Sequence, residues 1–262
     1  MINKLLAISG WCSLMTLLSG CQLSTSMHFE QRLQQQSANG FPFRVQHKKS
    51  SQFNHLIISD IKRESGVLDV YIHGDSHKFL SGETNNNDDL QPMIWDLMRH
   101  DPNDKVFVGR PCYFLIKQND KCESKYWLSH RYSDNVVNAM VEVVNGFTRD
   151  YPLENVQLIG YSGGGAIAIL MAHKISNLSA VITIAGNLDI KLWQQHHRYK
   201  PLSGSLNPFD SALTKDVTHW HFSGDKDIEV LSRWMLSFAK KHHGNGVVLP
   251  NVGHDRGWVE RW

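Results

Sequence analysis

Val156-Gln157-Leu158-Ile159-Gly160-Tyr161-Ser162-Gly163-Gly164-Gly165-Ala166-Ile167-Ala168-Ile169-Leu170-Met171-Ala172 is the stretch whose reading decides the fold. Val156 to Ile159, apolar but for Gln157, has the pattern of a buried strand, and Gly165 to Ala172 that of a buried helix. Between them, Gly160-Tyr161-Ser162-Gly163-Gly164 matches G-x-S-x-G. Alone this pattern arises often by chance, but strand, tight turn and helix together are the context it requires. The reason is steric: a serine on a sharp, strained bend projects its hydroxyl from the sheet edge, and flanking glycines leave room for the neighbouring backbone. The helix start behind Ser162 also favours negative charge near it. Gly163-Gly164-Gly165 leaves open a phosphate-binding turn in a Rossmann-like sheet, although G-x-G-x-x-G is absent.

Working outward, strands and helices alternate. Phe43 to His47 and Phe53 to Ile58 read as two antiparallel edge strands, and Val67 to Ile72 as a strand ending at His73-Gly74. Leu90 to Arg99 has helical spacing after the polar run Asn85 to Asp89. Lys105 to Val108 is a short strand, and Ser133 is placed to cap a helix running through Phe147. Gly163 to His173 is a helix and Ala180 to Ala185 a strand. His219 to Ser223 and Gly246 to Leu249 are the last strands, with a helix from Ile228 to His242 between them. The pattern predicts an α/β protein: a mostly parallel central sheet of about eight strands with helices on both faces. The segment from Gly186 to Val217 is the longest irregular one, enough for a flap but too short for a large cap domain. No repeat and no second domain is evident, so residues 41–262 form one domain in this reading.

A serine hydroxyl needs a base. Downstream of Ser162, a strand leads into Gly224-Asp225-Lys226-Asp227, and another into Pro250-Asn251-Val252-Gly253-His254. Both place polar residues just past a strand, on the carboxyl edge of the sheet. With the G-x-S-x-G turn, the G-x-x-D turn and the Gly-His pair on the page, residues 41 to 262 resemble the α/β-hydrolase superfamily. The resemblance implies Ser162 as nucleophile, His254 as general base and Asp227 as the acid that orients the imidazole, with Asp225 as the rival acid. It also implies an oxyanion hole of two backbone N–H groups. Gly163, after the serine, supplies one. Val70-Tyr71-Ile72-His73-Gly74-Asp75 resembles the family's His-Gly loop, which makes Asp75 the second donor. Many relatives carry an uncharged residue there, so the Asp75 side chain is expected to point away from the developing negative charge.

The remaining residues weigh less. His219 and His221 share a strand face but have no third ligand at metal-binding spacing, so no metal and no cofactor is expected. His196-His197 and His242-His243 read as solvated. Trp193, Tyr199 and Pro201-Leu202 either line a substrate pocket or pack the irregular segment onto the core. Trp258 and Trp262 are expected to anchor a final helix.

The first twenty residues differ in kind. Lys4 is their only charge, Leu5 to Leu18 are mostly apolar, and Ser19-Gly20 follow, which is the layout of a secretory signal. The apolar run is shorter than the roughly 20 residues of a membrane span, the alternative reading. Leu18-Ser19-Gly20-Cys21 resembles the lipobox of bacterial lipoproteins. That resemblance implies cleavage before Cys21, acylation of its sulfur and amino group, and a membrane-held protein in the bacterial envelope. Gln22, where Asp is absent, leans toward the outer membrane, facing the periplasm. Residues 21–40 then form the lipidated cysteine and a polar tether. Cys12 leaves with the signal, and Cys112 and Cys122 remain as a disulfide pair in an oxidising compartment.

The composition is that of an ordinary globular chain, 41% hydrophobic and 20% charged over 262 residues, with a net charge of +2. No basic block or stripe stands out, which argues against a nucleic-acid partner. The expected partner is a small-molecule or acyl-bearing substrate. The leading expectation is cleavage of a carboxylic ester through an acyl-enzyme; thioester or amide cleavage would use the same residues. The competing class is an envelope lipoprotein that keeps the fold but binds rather than cleaves.

Overall fold

The computed structural model describes residues 43–63, 65–75, 92–114, 121–151, 153–211, 213 and 216–262. The candidate signal, Cys21 and the tether lie outside them. Eight strands form one sheet in the order β1-β2-β4-β3-β5-β6-β7-β8. They are β1 (Arg44–Lys49), β2 (Asn54–Asp60), β3 (Val67–Ile72), β4 (Asp104–Val108), β5 (Asn155–Tyr161), β6 (Leu178–Ile184), β7 (Thr218–Gly224) and β8 (Asn245–Leu249). β1 and β2 pair antiparallel, β2 runs antiparallel to β4, and every later pairing is parallel. Of the two strands expected at the edge, only β1 lies there; β2 sits between β1 and β4.

The sheet is buried on both faces because its strands alternate two apolar sets. Leu68, Val70, Ile72, Val106, Leu158 and Val181 point to one face. There they meet α2 (Asp134–Asp150), α3 (Gly163–Met171) and α5 (Ser232–His242) through Val137, Met140, Phe147, Ile167, Trp234 and Phe238. Leu56, Ile58, Tyr71, Phe107 and Ile159 point to the other, against α1 (Pro92–His100) through Ile94, Trp95, Leu97 and Met98. α3 is buried along its whole length, as befits a helix that is apolar all round.

Three elements depart from the sequence-based expectation. α5 begins at Ser232 rather than Ile228, because Asp227 Oδ1 accepts from the N–H groups of Glu229 and Val230, both at 2.9 Å, and commits them to a turn. The irregular segment contains α4 (Ile190–His197), capped by Asp189, whose side chain accepts from Lys191 N and Leu192 N. Its N-cap was in the sequence, but only Ile190 and Trp193 are buried along its eight residues, too few to set a helical period. The expected final helix is a single 3-10 turn, Val259–Arg261; Trp258 anchors it, buried, whereas Trp262 is 43% exposed. Ser133 does precede α2, yet its hydroxyl makes no capping hydrogen bond. No cap domain stands over the sheet among the described residues, and the carboxyl edge is flanked by the connections after β4 and β6.

Candidate active site

The turn between β5 and α3 is strained. Ser162 has φ 51° and ψ −119°, a region that costs a residue with a side chain on the order of 1–3 kcal/mol and persists only where the surroundings enforce it. Here they do: Ser162 N donates to Ile184 O at 2.9 Å, and Ser162 O accepts from Gly165 N and Asn187 N, both at 3.0 Å. The motif glycines have a steric basis. A Cβ on Gly160 would fall 2.4 Å from Gly164 O, and one on Gly164 2.2 Å from Ile72 O.

The three side chains named from the sequence come together. His254 Nε2 is 3.0 Å from Ser162 Oγ, and His254 Nδ1 is 2.8 Å from Asp227 Oδ2. With Asp227 as a carboxylate, Nδ1–H donates to it, which leaves Nε2 to accept the serine hydroxyl proton. Asp227 is buried, and its second oxygen is held by the N–H groups of Glu229 and Val230. Asp225, the rival, is exposed and instead accepts from Asn251 N at 2.7 Å, which ties the β8 loop to the β7 turn. Two further residues hold the imidazole loop. Tyr161 Oη and Trp258 Nε1 both donate to His254 O, at 3.2 and 2.9 Å. Tyr161 occupies the variable position of G-x-S-x-G, so no motif flags its hydroxyl.

The His-Gly loop lies beside the serine. A Cβ on Gly74 would meet Ser162 Cβ at 2.9 Å, and His73 Nε2 accepts from Arg110 N at 3.2 Å. His73 is buried among Phe107, Tyr113 and Phe114. Burial and the Arg110 charge push its pKa down to about 3, so it stays neutral.

The Asp75 side chain was expected to point away from the developing negative charge, but it does not. It lies against Gly163, where a Cβ would fall 2.6 Å from Asp75 Oδ2 and 2.7 Å from Tyr132 Oη. The carboxylate is tolerated because cations and hydroxyls surround it. Arg110 Nη1 donates to Oδ1 at 2.7 Å, Arg131 Nη1 is 3.3 Å from Oδ2, Tyr132 Oη donates to Oδ2, and Tyr113 Oη is 3.5 Å from Oδ1. Burial alone would raise its pKa; the charges of Arg131 and Arg110 outweigh that and hold it well below the usual carboxylate range. Arg110 and Arg131 are themselves buried, and Arg110 stacks over Tyr113 and Tyr132. None of these partners was singled out from the sequence, and none carries a motif.

Cys112 and Cys122 form a disulfide in the connection after β4, and Cys112 O accepts from Trp127 Nε1 at 2.6 Å. Trp193 and Leu202 are buried in the core, whereas Tyr199 is 37% exposed. His219 Nδ1 and His221 Nε2 bond each other at 2.8 Å, and His221 Nδ1 bonds Thr183 Oγ1 at 2.9 Å. Among the described residues, no group of three or more His, Cys, Asp or Glu side chains is arranged to hold a metal ion.

No protein-family model matches the sequence, and no curated protein matches it at a significant level. Solved structures do. An alpha-beta serine hydrolase homologue from Coxiella burnetii superposes with a TM-score of 0.57 at 14% identity, over 80% of this chain and 88% of that one. A member of the a/b serine hydrolases without a lid, from Xanthomonas campestris, gives 0.55 at 13% identity, over 81% and 86%. A Pyrococcus furiosus esterase gives 0.58 at 14% identity, over 84% and 87%. Strand order, the strained serine turn and these superpositions agree, and the chain has the α/β-hydrolase fold.

Proposed function

We propose that the protein is a serine hydrolase that cleaves a carboxylic ester through an acyl-enzyme. The observation that carries this reading is the pair of contacts at one imidazole: Nε2 to Ser162 Oγ at 3.0 Å and Nδ1 to Asp227 at 2.8 Å. The esterase and serine hydrolase names among the structural neighbours support it at the level of fold.

In this reading Ser162 Oγ attacks the ester carbonyl carbon while His254 Nε2 takes the hydroxyl proton. The carbonyl π electrons move to its oxygen, which receives hydrogen bonds from the N–H groups of Gly163 and Asp75. Collapse re-forms the carbonyl and expels the alkoxide, which takes the proton from His254 and leaves as alcohol. Water then attacks the acyl-enzyme, again giving its proton to His254. The second collapse releases the carboxylic acid as Ser162 Oγ takes that proton back. Asp227 holds the tautomer and balances the imidazolium charge in both halves. With no cap domain among the described residues, the edge is open to small or medium acyl groups.

Export and lipidation belong to the same proposal. The lipobox-like run ending at Cys21 supports them, and the Cys112–Cys122 disulfide suits an oxidising compartment. A protein held by acyl groups on Cys21 in the outer membrane, facing the periplasm, follows. The test of activity is turnover of a panel of p-nitrophenyl esters, thioesters and anilides by the chain from residue 22. Ester turnover lost in Ser162→Ala is the expected result. A folded protein inert on the whole panel overturns the reading in favour of a binding protein.

A further inference from the structure

Four side chains outside the Ser162–His254–Asp227 set meet behind Gly163, and the reaction above gives them no role. One carboxylate, Asp75, faces two guanidiniums, Arg110 and Arg131, and the Tyr132 hydroxyl. With the tyrosine neutral, the cluster holds one negative and two positive charges, an excess of one positive charge. Its members are almost fully withdrawn from water: the Arg110, Arg131 and Asp75 side chains are 0%, 5% and 7% exposed. Charges so placed are little screened, and their field reaches further than that of surface charges.

The position of the cluster gives that field a direction. Asp75 and Gly163 are the two residues whose N–H groups were assigned to the oxyanion, and the Asp75 carboxylate and Tyr132 hydroxyl pack against Gly163. His254 bonds Ser162 Oγ through Nε2 and is backed at Nδ1 by the Asp227 carboxylate. The cluster behind the oxyanion hole thus carries one net positive charge, with the Asp75 carboxylate nearest Gly163 and the two guanidiniums on its oxygens, while an anion backs the ring that becomes positive. The same contacts hold the loop in place. Arg110 bonds Asp75 by its guanidinium, His73 by its backbone N–H and Arg131 O by its Nη2.

We infer that Arg110, Arg131, Asp75 and Tyr132 form a cationic clamp that positions the oxyanion-hole backbone and polarises the site along the charge separation of the reaction. Arg131 supplies the excess charge, and Arg110 and Tyr132 keep the Asp75 carboxylate from opposing the oxyanion. The inference rests on the serine hydrolase reading. Arg110, Arg131 and Tyr132 are positioning residues, since none is placed to touch substrate; Asp75 reaches the oxyanion only through its backbone N–H.

The test compares Arg131→Gln, Arg131→Lys and Tyr132→Phe with the parent chain on one activated ester, and measures affinity for a boronic acid that forms a tetrahedral anion on serine. For Arg131→Gln the expected result is a fall in kcat of about tenfold or more at a KM within about twofold of the parent. Boronate affinity should weaken by the same factor, and Arg131→Lys, which restores the charge but not the fork, should recover most of the loss. Should Arg131→Gln not fold, Tyr132→Phe keeps the ring and removes one donor to Asp75; it should lower kcat several-fold with KM unchanged. The inference is overturned if kcat and boronate affinity survive in Arg131→Gln or Tyr132→Phe. It is also overturned if Arg131→Lys is no better than Arg131→Gln, which marks a purely structural clamp. A parent chain that neither turns over ester nor takes a fluorophosphonate on Ser162 removes the hydrolase reading itself. A parent that is labelled, with variants labelled equally fast, removes only the clamp.

Discussion

The two edges of the sheet treat buried carboxylates in opposite ways, and β3 with the loop that follows it displays both. Toward the amino edge, β3 carries Asp69, which takes a hydrogen bond from Asn103 Nδ2 at 2.8 Å and has Asp101 as a neighbour. Burial and the Asp101 charge push the Asp69 carboxyl up to about 7. Asp101 in turn accepts from Tyr71 Oη at 2.8 Å. Six residues on, at the carboxyl edge, two arginines hold Asp75 ionised. Both aspartates are withdrawn from water, so burial alone does not decide their charge; the partners do. An edge with no reaction to serve can settle a buried acid by protonating it. In the serine hydrolase reading, an edge where an oxyanion is to form does better with a permanently charged acid outnumbered by cations, because a proton there would come and go with pH.

This contrast can be broken at several points. The largest effect lies at the carboxyl edge. Asp227→Asn removes the charge behind His254 and lets Nδ1 lose its tautomer, so kcat should fall by about 10⁴-fold, while Asp225→Asn stays within about twofold. Steady-state kinetics on one ester reads both, and equal losses would mean that the acid has been misassigned.

Asp75→Asn comes next. It leaves two buried guanidiniums facing a neutral amide, a change of the kind that costs about 3–5 kcal/mol. Urea denaturation should show that loss at neutral pH. A variant as stable as the parent would mean that the arginines do not need the carboxylate.

The smallest effect lies at the amino edge and changes with pH. The folded pKa of Asp69 is raised above its unfolded value near 3.8. Its favourable contribution is therefore complete below that value and lost as pH rises through about 7. Asp69→Asn, which cannot ionise, should be more stable than the parent by about 1 kcal/mol or more at pH 8 and gain nothing at pH 4. A gain that is the same at both pH values would place the penalty elsewhere.

Much of the carboxyl edge was legible in the chain, because the requirements there are local. Ser162 announces itself through glycines that the turn needs and through the apolar strand and helix on either side. His254 follows the last strand by a short turn, which ranks it above the other histidines, and Asp227 ranks above Asp225 because its spacing from Gly224 resembles the family's turn. The clamp was not legible: Asp75 meets Arg110 and Tyr132 across 35 and 57 positions, and no period or motif links residues on two separate connections. For the same reason the Asp75 side chain was expected to point away from the oxyanion, since its neutralising partners were invisible. Helix α5 was read one turn too long because the turn that Asp227 organises looks, residue by residue, like helix. α4 was missed because a cap and two buried residues do not make a period.

The central claim is that the Ser162 hydroxyl is activated by the imidazole beside it. Intact-mass analysis after exposure to a fluorophosphonate tests it most directly. One adduct per chain, mapped to Ser162, lost in Ser162→Ala and slowed at least a hundredfold or so in His254→Ala, is the predicted result. A folded parent chain that takes no adduct, or a His254→Ala variant labelled as fast as the parent, would contradict it.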